Sequence, residues 1–390
     1  MPVKMFDCWP KRVVSYPGAI KDLGEIVKGM GKNRVIVFTD SVMKDFPLIT
    51  NVINDLKNQG LNASLFADIG PNPVVDMVHK AVDYMKQEEP DIIVAIGGGS
   101  PMDAAKAANV VYTHGGHVTE YDIAIGGITK ITPKLLPMIA IPTTAGTGSE
   151  VTYVGVITDT EKQVKFGVLS PLLLADVAIL DAEVTATMPP KLTAYTGLDA
   201  LTHCIESYTA ITGFPPADAF ALHGIRMIAR SLRTAVKDGN NLKAREDMLV
   251  ASMMGGTAFS LNGLGACHAM AHQLSAFFNT PHGLANAMLL TRVMRFNMSS
   301  NPQKFADIAE AMGADIKGLT VEQAAEKAIE MVQQLCDEFE VPKYLDDIGA
   351  TKDEIPALVE RAMMDNPITT NPRPVSAEDV TKLFEESFKN

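Results

Sequence analysis

The fold is decided by the stretch Asp91-Ile-Ile-Val-Ala-Ile-Gly-Gly-Gly-Ser-Pro101. Five apolar residues stand in a row, Ile92 to Ile96, and four of them are β-branched. A short unbroken apolar run of this kind reads as a strand covered on both faces, as in a parallel sheet. It runs straight into three glycines, and Pro101 can occupy the first turn of a following helix, where its missing N–H costs nothing. Strand, glycine turn and helix start, in that order, make an anion site. The glycines let backbone approach a pyrophosphate, and the helix offers free N–H groups at the positive end of its dipole. Met102 stands where the third glycine of the usual dinucleotide fingerprint would fall, so the motif is a variant of it.

On either side the same grammar repeats. Arg34-Val-Ile-Val-Phe-Thr-Asp40 reads as a buried strand with a polar tip, and Pro47 to Gln59 as an amphipathic helix. Ala63 to Ile69 is a second strand before the turn Pro71-Asn72-Pro73, Val74 to Glu88 is helical in pattern, and Met138-Ile-Ala-Ile141 is a further strand. Strands alternating with helices predict a parallel sheet with helices on both faces. A second loop, Pro142-Thr-Thr-Ala-Gly-Thr-Gly-Ser-Glu150, is dense in hydroxyls and glycines that suit phosphate, ribose and amide contacts. Both loops follow strands at the carboxyl end, where such sheets bind ligands. Asp40 could accept bonds from an adenosine ribose and repel a 2′-phosphate, favouring NAD over NADP. By itself it equally reads as a strand-end Asp that caps a turn.

Val151 to Leu180 remains strand-like, and the pattern changes after Asp181. From about Thr185 the periodicity is helical, as in Val250 to Ser260, Lys304 to Met312 and Val321 to Glu340. Met188-Pro189-Pro190 interrupts the chain at this change. The expected organisation is a dinucleotide-binding α/β domain over 1–184 and an all-helical metal-binding domain over 185–390. Two domains also suit 390 residues of which 47% are hydrophobic. A net charge of −12 and the lack of a basic stripe argue against nucleic acid as a partner. No apolar window approaches the ~18 residues of a membrane span, and Met1 to Lys11 holds no signal-type apolar run. Cys8, Cys204, Cys267 and Cys336 are scattered without a C-x-x-C pair, so a reducing cytoplasm is the expected location.

The helical half carries the sharpest chemistry. Asp199-Ala-Leu-Thr-His203 places a carboxylate and an imidazole at i and i+4, on one helix face. His268-Ala-Met-Ala-His272 repeats the spacing, and Thr280-Pro-His-Gly283 puts another His at a turn or helix start. Any one of these histidines, taken alone, reads best as a hydrogen-bonded core residue. Together they lie among Ala, Met, Leu and Phe, where each unpaired polar group would cost on the order of 2–7 kcal/mol. A shared cation removes that cost for several groups at once. Five groups compete, and a mononuclear site needs about three or four. One carboxylate with imidazoles suits divalent Fe, Zn, Mn or Co.

At these residues the chain resembles the iron-containing (group III) alcohol dehydrogenase family, and within it the 1,3-propanediol dehydrogenase and lactaldehyde reductase types. The resemblance covers nearly the whole chain: Gly70–Pro73, Gly97–Asp103, Thr143–Glu150, Thr196–Glu206, Gly265–Asn286 and Asn371-Pro-Arg373. It implies an α/β N-terminal domain with a Rossmann-like parallel sheet, followed by an all-α helical bundle, the dehydroquinate synthase-like two-domain architecture. It implies Asp199, His203, His268 and His282 as metal ligands, with Fe2+ or another divalent ion such as Zn2+, and His272 as a proton relay. It implies NAD contacts at Asp40, Asn72, Gly98, Gly99, Ser100, Asp103, Thr143, Thr144, Ser149, Val151, Lys165 and Leu180. It also implies a homodimer or a larger dimer-based assembly. Thr291 and Ala175 depart from the family, which commonly has proline at or near them.

The expected activity is hydride transfer between a short primary alcohol or diol, or its aldehyde, and NAD(H), in a cleft between the domains. A glycerol dehydrogenase or dehydroquinate synthase-like enzyme is the nearest rival, although the latter would need a Lys- and Arg-rich pocket for an anionic substrate. A rival of another class is a non-catalytic nucleotide-binding or filament-forming scaffold. A chain that bound NADH yet took up no metal would favour it.

Overall fold

The computed structural model describes residues 10–162 and 164–389. Cys8 and most of the N-terminal stretch assessed for a signal lie outside the described residues. The strands are β1 (Arg12–Ser15), β2 (Arg34–Phe38), β3 (Asn62–Phe66), β4 (Ile92–Gly97), β5 (Met138–Pro142), β6 (Val154–Asp159), β7 (Val164–Leu169) and β8 (Val177–Leu180). The helices of the first half are α1 (Leu23–Gly29), α2 (Pro47–Asn58), α3 (Val75–Glu88) and α4 (Gly99–His114). After β8 come α5 (Ala182–Thr185), α6 (Pro190–Thr209), α7 (Pro215–Lys237), α8 (Leu242–Asn262), α9 (Ala266–Phe278) and α10 (His282–Met298). The chain ends with α11 (Pro302–Ala311), α12 (Val321–Glu338), α13 (Ile355–Met364) and α14 (Ala377–Glu385).

The chain forms two compact units. One holds the described residues up to Thr144 together with Gly148–Thr187, and the other holds Ala145–Thr147 and Met188 onward. In the first, six parallel strands run in the order β1-β8-β5-β4-β2-β3. Every residue of β4 is buried, as its unbroken apolar run predicts. Alternate residues supply two cores on opposite faces. Ile36, Phe38, Ile93, Ala95, Met138 and Ala140 fill one, and Val35, Val37, Ile92, Val94, Ile96, Ile139 and Ile141 fill the other.

β4 lies beside β2 on the side away from β3. The strand order therefore reverses between β2 and β4, and the carboxyl ends there open the crevice where open α/β sheets bind ligands. β6 and β7 form a separate antiparallel hairpin. β1 has no strand signal in the sequence: Arg-Val-Val-Ser is only half-buried and becomes a strand by pairing with β8.

The regular elements of the second unit are all helices, and it has no strand among its described residues. Its central helix is α6, in which every residue from Gly197 to Thr209 is buried. A helix buried all round is a core helix. Asp199, Thr202, His203, Glu206 and Ser207 are therefore polar groups inside a core, and each needs a partner there.

Candidate metal and dinucleotide site

α6 carries Asp199 and His203 one turn apart, α9 carries His268 and His272, and His282 is the first residue of α10. The seating of α10 depends on Gly283. A Cβ there would stand 2.2 Å from the Tyr195 carbonyl oxygen and 3.1 Å from the Asp199 Cβ, so only glycine lets the helix start lie against α6. His282 Nε2 thereby comes 3.5 Å from Asp199 Oδ1, and His268 Nε2 lies 3.9 Å from the same oxygen. The His203 and His268 rings stack with centroids 4.6 Å apart. Asp199, His203, His268 and His282 each offer one ligand atom, and all four atoms lie within 4.8 Å of one another.

The fit to a cation follows from the hydrogen bonds around this group. His203 Nδ1 faces the Gly146 carbonyl at 3.2 Å. A carbonyl only accepts, so Nδ1 carries the proton and Nε2 carries the lone pair. His268 Nδ1 donates to the Glu206 carboxylate at 2.6 Å, which leaves its Nε2 as an acceptor too. Burial lowers the pKa of His203, and that of His268 well below the usual range, where the neighbouring imidazoles add to the effect. Both rings therefore stay neutral, as a ligand must. The Asn286 amide nitrogen donates to Asp199 Oδ1 at 2.8 Å and lies 3.1 and 3.3 Å from Nε2 of His268 and His282. Its two hydrogens cannot serve three acceptors at once. The surplus of buried acceptors suits a divalent cation, and the mixture of one carboxylate with three imidazoles suits iron or zinc.

Glu206 was not singled out from the sequence. It lies seven residues after Asp199 and three after His203 on α6, a spacing that shares their face and could have marked it. It accepts from Cys267 N at 2.7 Å and His268 N at 3.3 Å as well as from His268 Nδ1, and so also anchors the start of α9. Burial pushes its carboxyl up to about 7 although backbone N–H groups hold it down. His272 is outside the four-atom group. Its ring stacks on His282 at 5.3 Å, and its Nδ1 meets Asp365 Oδ2 at 2.6 Å. Cys204, Cys267 and Cys336 are free and buried, and burial pushes the Cys204 thiol up to about 12, which makes it a packing residue.

In the first unit the Gly97–Gly99 turn lies beside Thr143 and Thr144, the start of the second loop. Thr143 N donates to the Gly97 carbonyl at 2.9 Å, and a Cβ on Gly98 would come 3.4 Å from Thr144 Oγ1. Gly97 has φ 152°, and a Cβ there would strike Pro101 at 2.6 Å, so the tight turn into α4 requires glycine. Gly98 precedes α4 without a side-chain cap, leaving the N–H groups of the first turn, around Gly99 and Ser100, for a phosphate. Asn72 and Lys165 meet, with Nζ donating to Oδ1 at 2.9 Å. Asp40 stands beyond the end of β2 and accepts from Val42 N and Met43 N through Oδ1, so it does cap a turn.

Asp103 and Ser149 are joined to each other, Oγ to Oδ1 at 2.8 Å. Val151 and Leu180 are sealed in the core, so any ligand contact from them runs through backbone. Beneath the second loop lies Lys106, also unmarked by the sequence reading. It is fully buried and its Nζ lies within 3.1 Å of Ser149 O, Ser149 Oγ, Thr152 Oγ1 and Val154 O.

Residues 10–182 match the iron-containing alcohol dehydrogenase family, and residues 193–388 match the C-terminal part of the Fe-containing alcohol dehydrogenase family. The chain belongs to the iron-containing alcohol dehydrogenases. It is 40% identical to 1,3-propanediol dehydrogenase of Klebsiella pneumoniae, over 100% of both chains. It is 37% identical to lactaldehyde reductase of Escherichia coli K12, over 95% of this chain and 96% of that one. The structure of a 1,3-propanediol oxidoreductase superposes with a TM-score of 0.95 at 40% identity, covering 99% of this chain and 100% of the other. That of sulfoacetaldehyde reductase from Bifidobacterium kashiwanohense in complex with NAD+ superposes with a TM-score of 0.88 at 28% identity, covering 99% of both. The protein is thus an oxidoreductase of the alcohol dehydrogenase type that uses iron and NAD. No helix among the described residues is long and apolar enough to cross a membrane.

Proposed function

We propose that this alcohol dehydrogenase interconverts short primary alcohols or diols and their aldehydes with NAD(H), holding its metal at Asp199, His203, His268 and His282. The observation that carries the reading is the convergence of four ligand atoms within 4.8 Å, two of them on imidazoles whose tautomer is fixed by an acceptor behind the ring. When bound, a divalent cation supplies Lewis-acid polarisation of the substrate oxygen, and NAD supplies the hydride acceptor. The chain's own residues do the rest. The uncapped start of α4 with Gly98, Gly99 and Ser100, and the neighbouring Thr143 and Thr144, receive the pyrophosphate. Asp40 accepts from the adenosine ribose and repels a 2′-phosphate. Asn72 and Lys165 act as one hydrogen-bonded pair toward the cofactor. Lys106, Asp103 and Ser149 hold the shape of the second loop. His272 takes the hydroxyl proton at Nε2 during oxidation and returns it during reduction. The likeness to 1,3-propanediol dehydrogenase and lactaldehyde reductase supports a small alcohol, diol or hydroxyaldehyde as substrate. Family kinship and scattered, buried cysteines support a cytoplasmic dimer or dimer-based assembly.

The test is to purify the protein anaerobically, measure metal per chain, and follow NADH with ethanol, 1-propanol, 1,2-propanediol and 1,3-propanediol. The expected result is about one iron per chain, with activity that chelation removes and Fe(II) restores. Metal-loaded protein that turns over none of these, or their aldehydes, with either dinucleotide would overturn the substrate assignment. Light scattering in solution gives the oligomer, and a monomer would refute the dimer.

A further inference from the structure

His272 is held from behind by a carboxylate that no metal reading uses. Its Nδ1 lies 2.6 Å from Asp365 Oδ2, and both side chains are about a quarter exposed, 22% and 24%. Asp365 owes its position to the end of α13. Its backbone leaves the helical region with ψ 132°, Pro367 follows two residues later, and the carboxylate is turned back over α9, against which α13 packs. Gln273 steadies it. The Gln273 amide is tied to the Ala269 carbonyl at 3.0 Å and reaches the same Asp365 oxygen at 3.4 Å. A carboxylate at this distance only accepts, so Nδ1 of His272 carries the proton and the opposite nitrogen, Nε2, keeps the lone pair.

Resting on the reading of His272 as the proton carrier, we propose that Asp365 is its positioning residue. It fixes the tautomer that can take a proton at Nε2 and balances the imidazolium that results. In alcohol oxidation the O–H bond breaks and its proton goes to Nε2. The C–H electron pair leaves as hydride to NAD, and the C=O bond forms. The proton rests on the His272 imidazolium, which later gives it to solvent. In reduction each transfer runs backwards. A base whose orienting carboxylate is lost samples the wrong tautomer, and that alone can remove orders of magnitude from turnover.

The experiment compares holoenzymes carrying Asp365→Ala, Asp365→Asn, Asp365→Glu, His272→Ala and the Asp365→Ala/His272→Ala pair. Asp365→Ala and Asp365→Asn are expected to lower kcat by roughly ten- to hundredfold, with metal content, NADH affinity and KM held within about twofold. Asp365→Glu should recover most of the rate. Asp365→Ala should add almost nothing on the His272→Ala background, because both act through one proton. Independently of turnover, 15N spectra of histidine-labelled, metal-free protein should show His272 protonated at Nδ1, and a mixture of tautomers in Asp365→Ala. The inference is overturned if Asp365→Ala keeps the parental kcat, if its full effect persists on the His272→Ala background, or if it loses metal instead. A slow His272→Ala beside a normal Asp365→Ala sinks only the Asp365 role. A His272→Ala enzyme as fast as the parent sinks the proton-carrier reading and Asp365 with it.

Discussion

Replacing Glu206 by alanine should loosen the metal without touching the dinucleotide. Glu206 accepts the His268 Nδ1 proton at 2.6 Å and thereby aims Nε2 at the Asp199, His203 and His282 donors. Without it His268 can turn or change tautomer, and a cation then meets an N–H where it needs a lone pair. Loss of such a partner behind a metal-bound histidine costs about ten- to hundredfold in metal affinity, or about 1.4–2.7 kcal/mol. Glu206 also accepts from Cys267 N and His268 N at a helix start that has no side-chain cap of its own. Stranding those buried donors costs about 1–3 kcal/mol each, so the metal-free variant should also melt earlier. Glu206→Gln keeps one accepting oxygen but aims an amide N–H2 at the other donors, so it should fall between parent and alanine. The assay is competition for the metal with a chelator of known affinity, read beside NADH titration and thermal unfolding of metal-free protein. A folded Glu206→Ala that holds metal as tightly as the parent would refute the reasoning, and if alanine prevents folding the Gln variant decides.

Three further outcomes follow from the same geometry. Gly283→Ala drives a Cβ into the Tyr195 carbonyl, so α10 must shift at a cost of about 1–3 kcal/mol. Metal occupancy should fall with it, and normal occupancy with normal melting would contradict the close approach. Lys106→Met removes the donor shared by Ser149 O, Ser149 Oγ, Thr152 Oγ1 and Val154 O and should cost about 1–3 kcal/mol. Burial holds the Lys106 ammonium down to about 8, below the usual 10.5, so the folded state gives up its proton first. The linkage part of the Lys106 contribution is then absent below 8 and complete above 10.5, so beyond the lost hydrogen bonds the parent should gain urea stability relative to Lys106→Met as pH rises across that window. A pH-independent difference would argue against a buried, titrating Lys106. Asp40→Ser keeps an oxygen for the turn it caps but removes the charge that repels a 2′-phosphate. The NAD over NADP preference in kcat/KM should drop at least about tenfold, which is 1.4 kcal/mol, and an unchanged ratio would free Asp40 from any role in cofactor choice.

The sequence by itself determined the layers and the donors. Five apolar residues, four of them β-branched, bounded by three glycines read as a strand covered on both faces, and period separates the sheet half from the helical half. The i, i+4 pairs Asp199/His203 and His268/His272 were legible because helix geometry is local, and it puts such residues on one face wherever the helix goes. What residue spacing left open, and only the family resemblance anticipated, is which of five candidate groups converge; the tertiary structure supplies the reason. Asp199, His203, His268 and His282 share one point while His272 turns aside to Asp365, because α10 leans on α6 at Gly283 and α13 ends over α9. Glu206 and Lys106 were hidden for the same reason. A charged residue in a helix looks like a solvated face until the packing around it shows that the helix is buried on every side. β1 too exists only through its partner, since four half-buried residues carry no signal until β8 supplies the hydrogen bonds. Local periodicity is written in the chain, whereas convergence depends on contacts between residues tens to more than a hundred positions apart, and the sequence records those only through the fold.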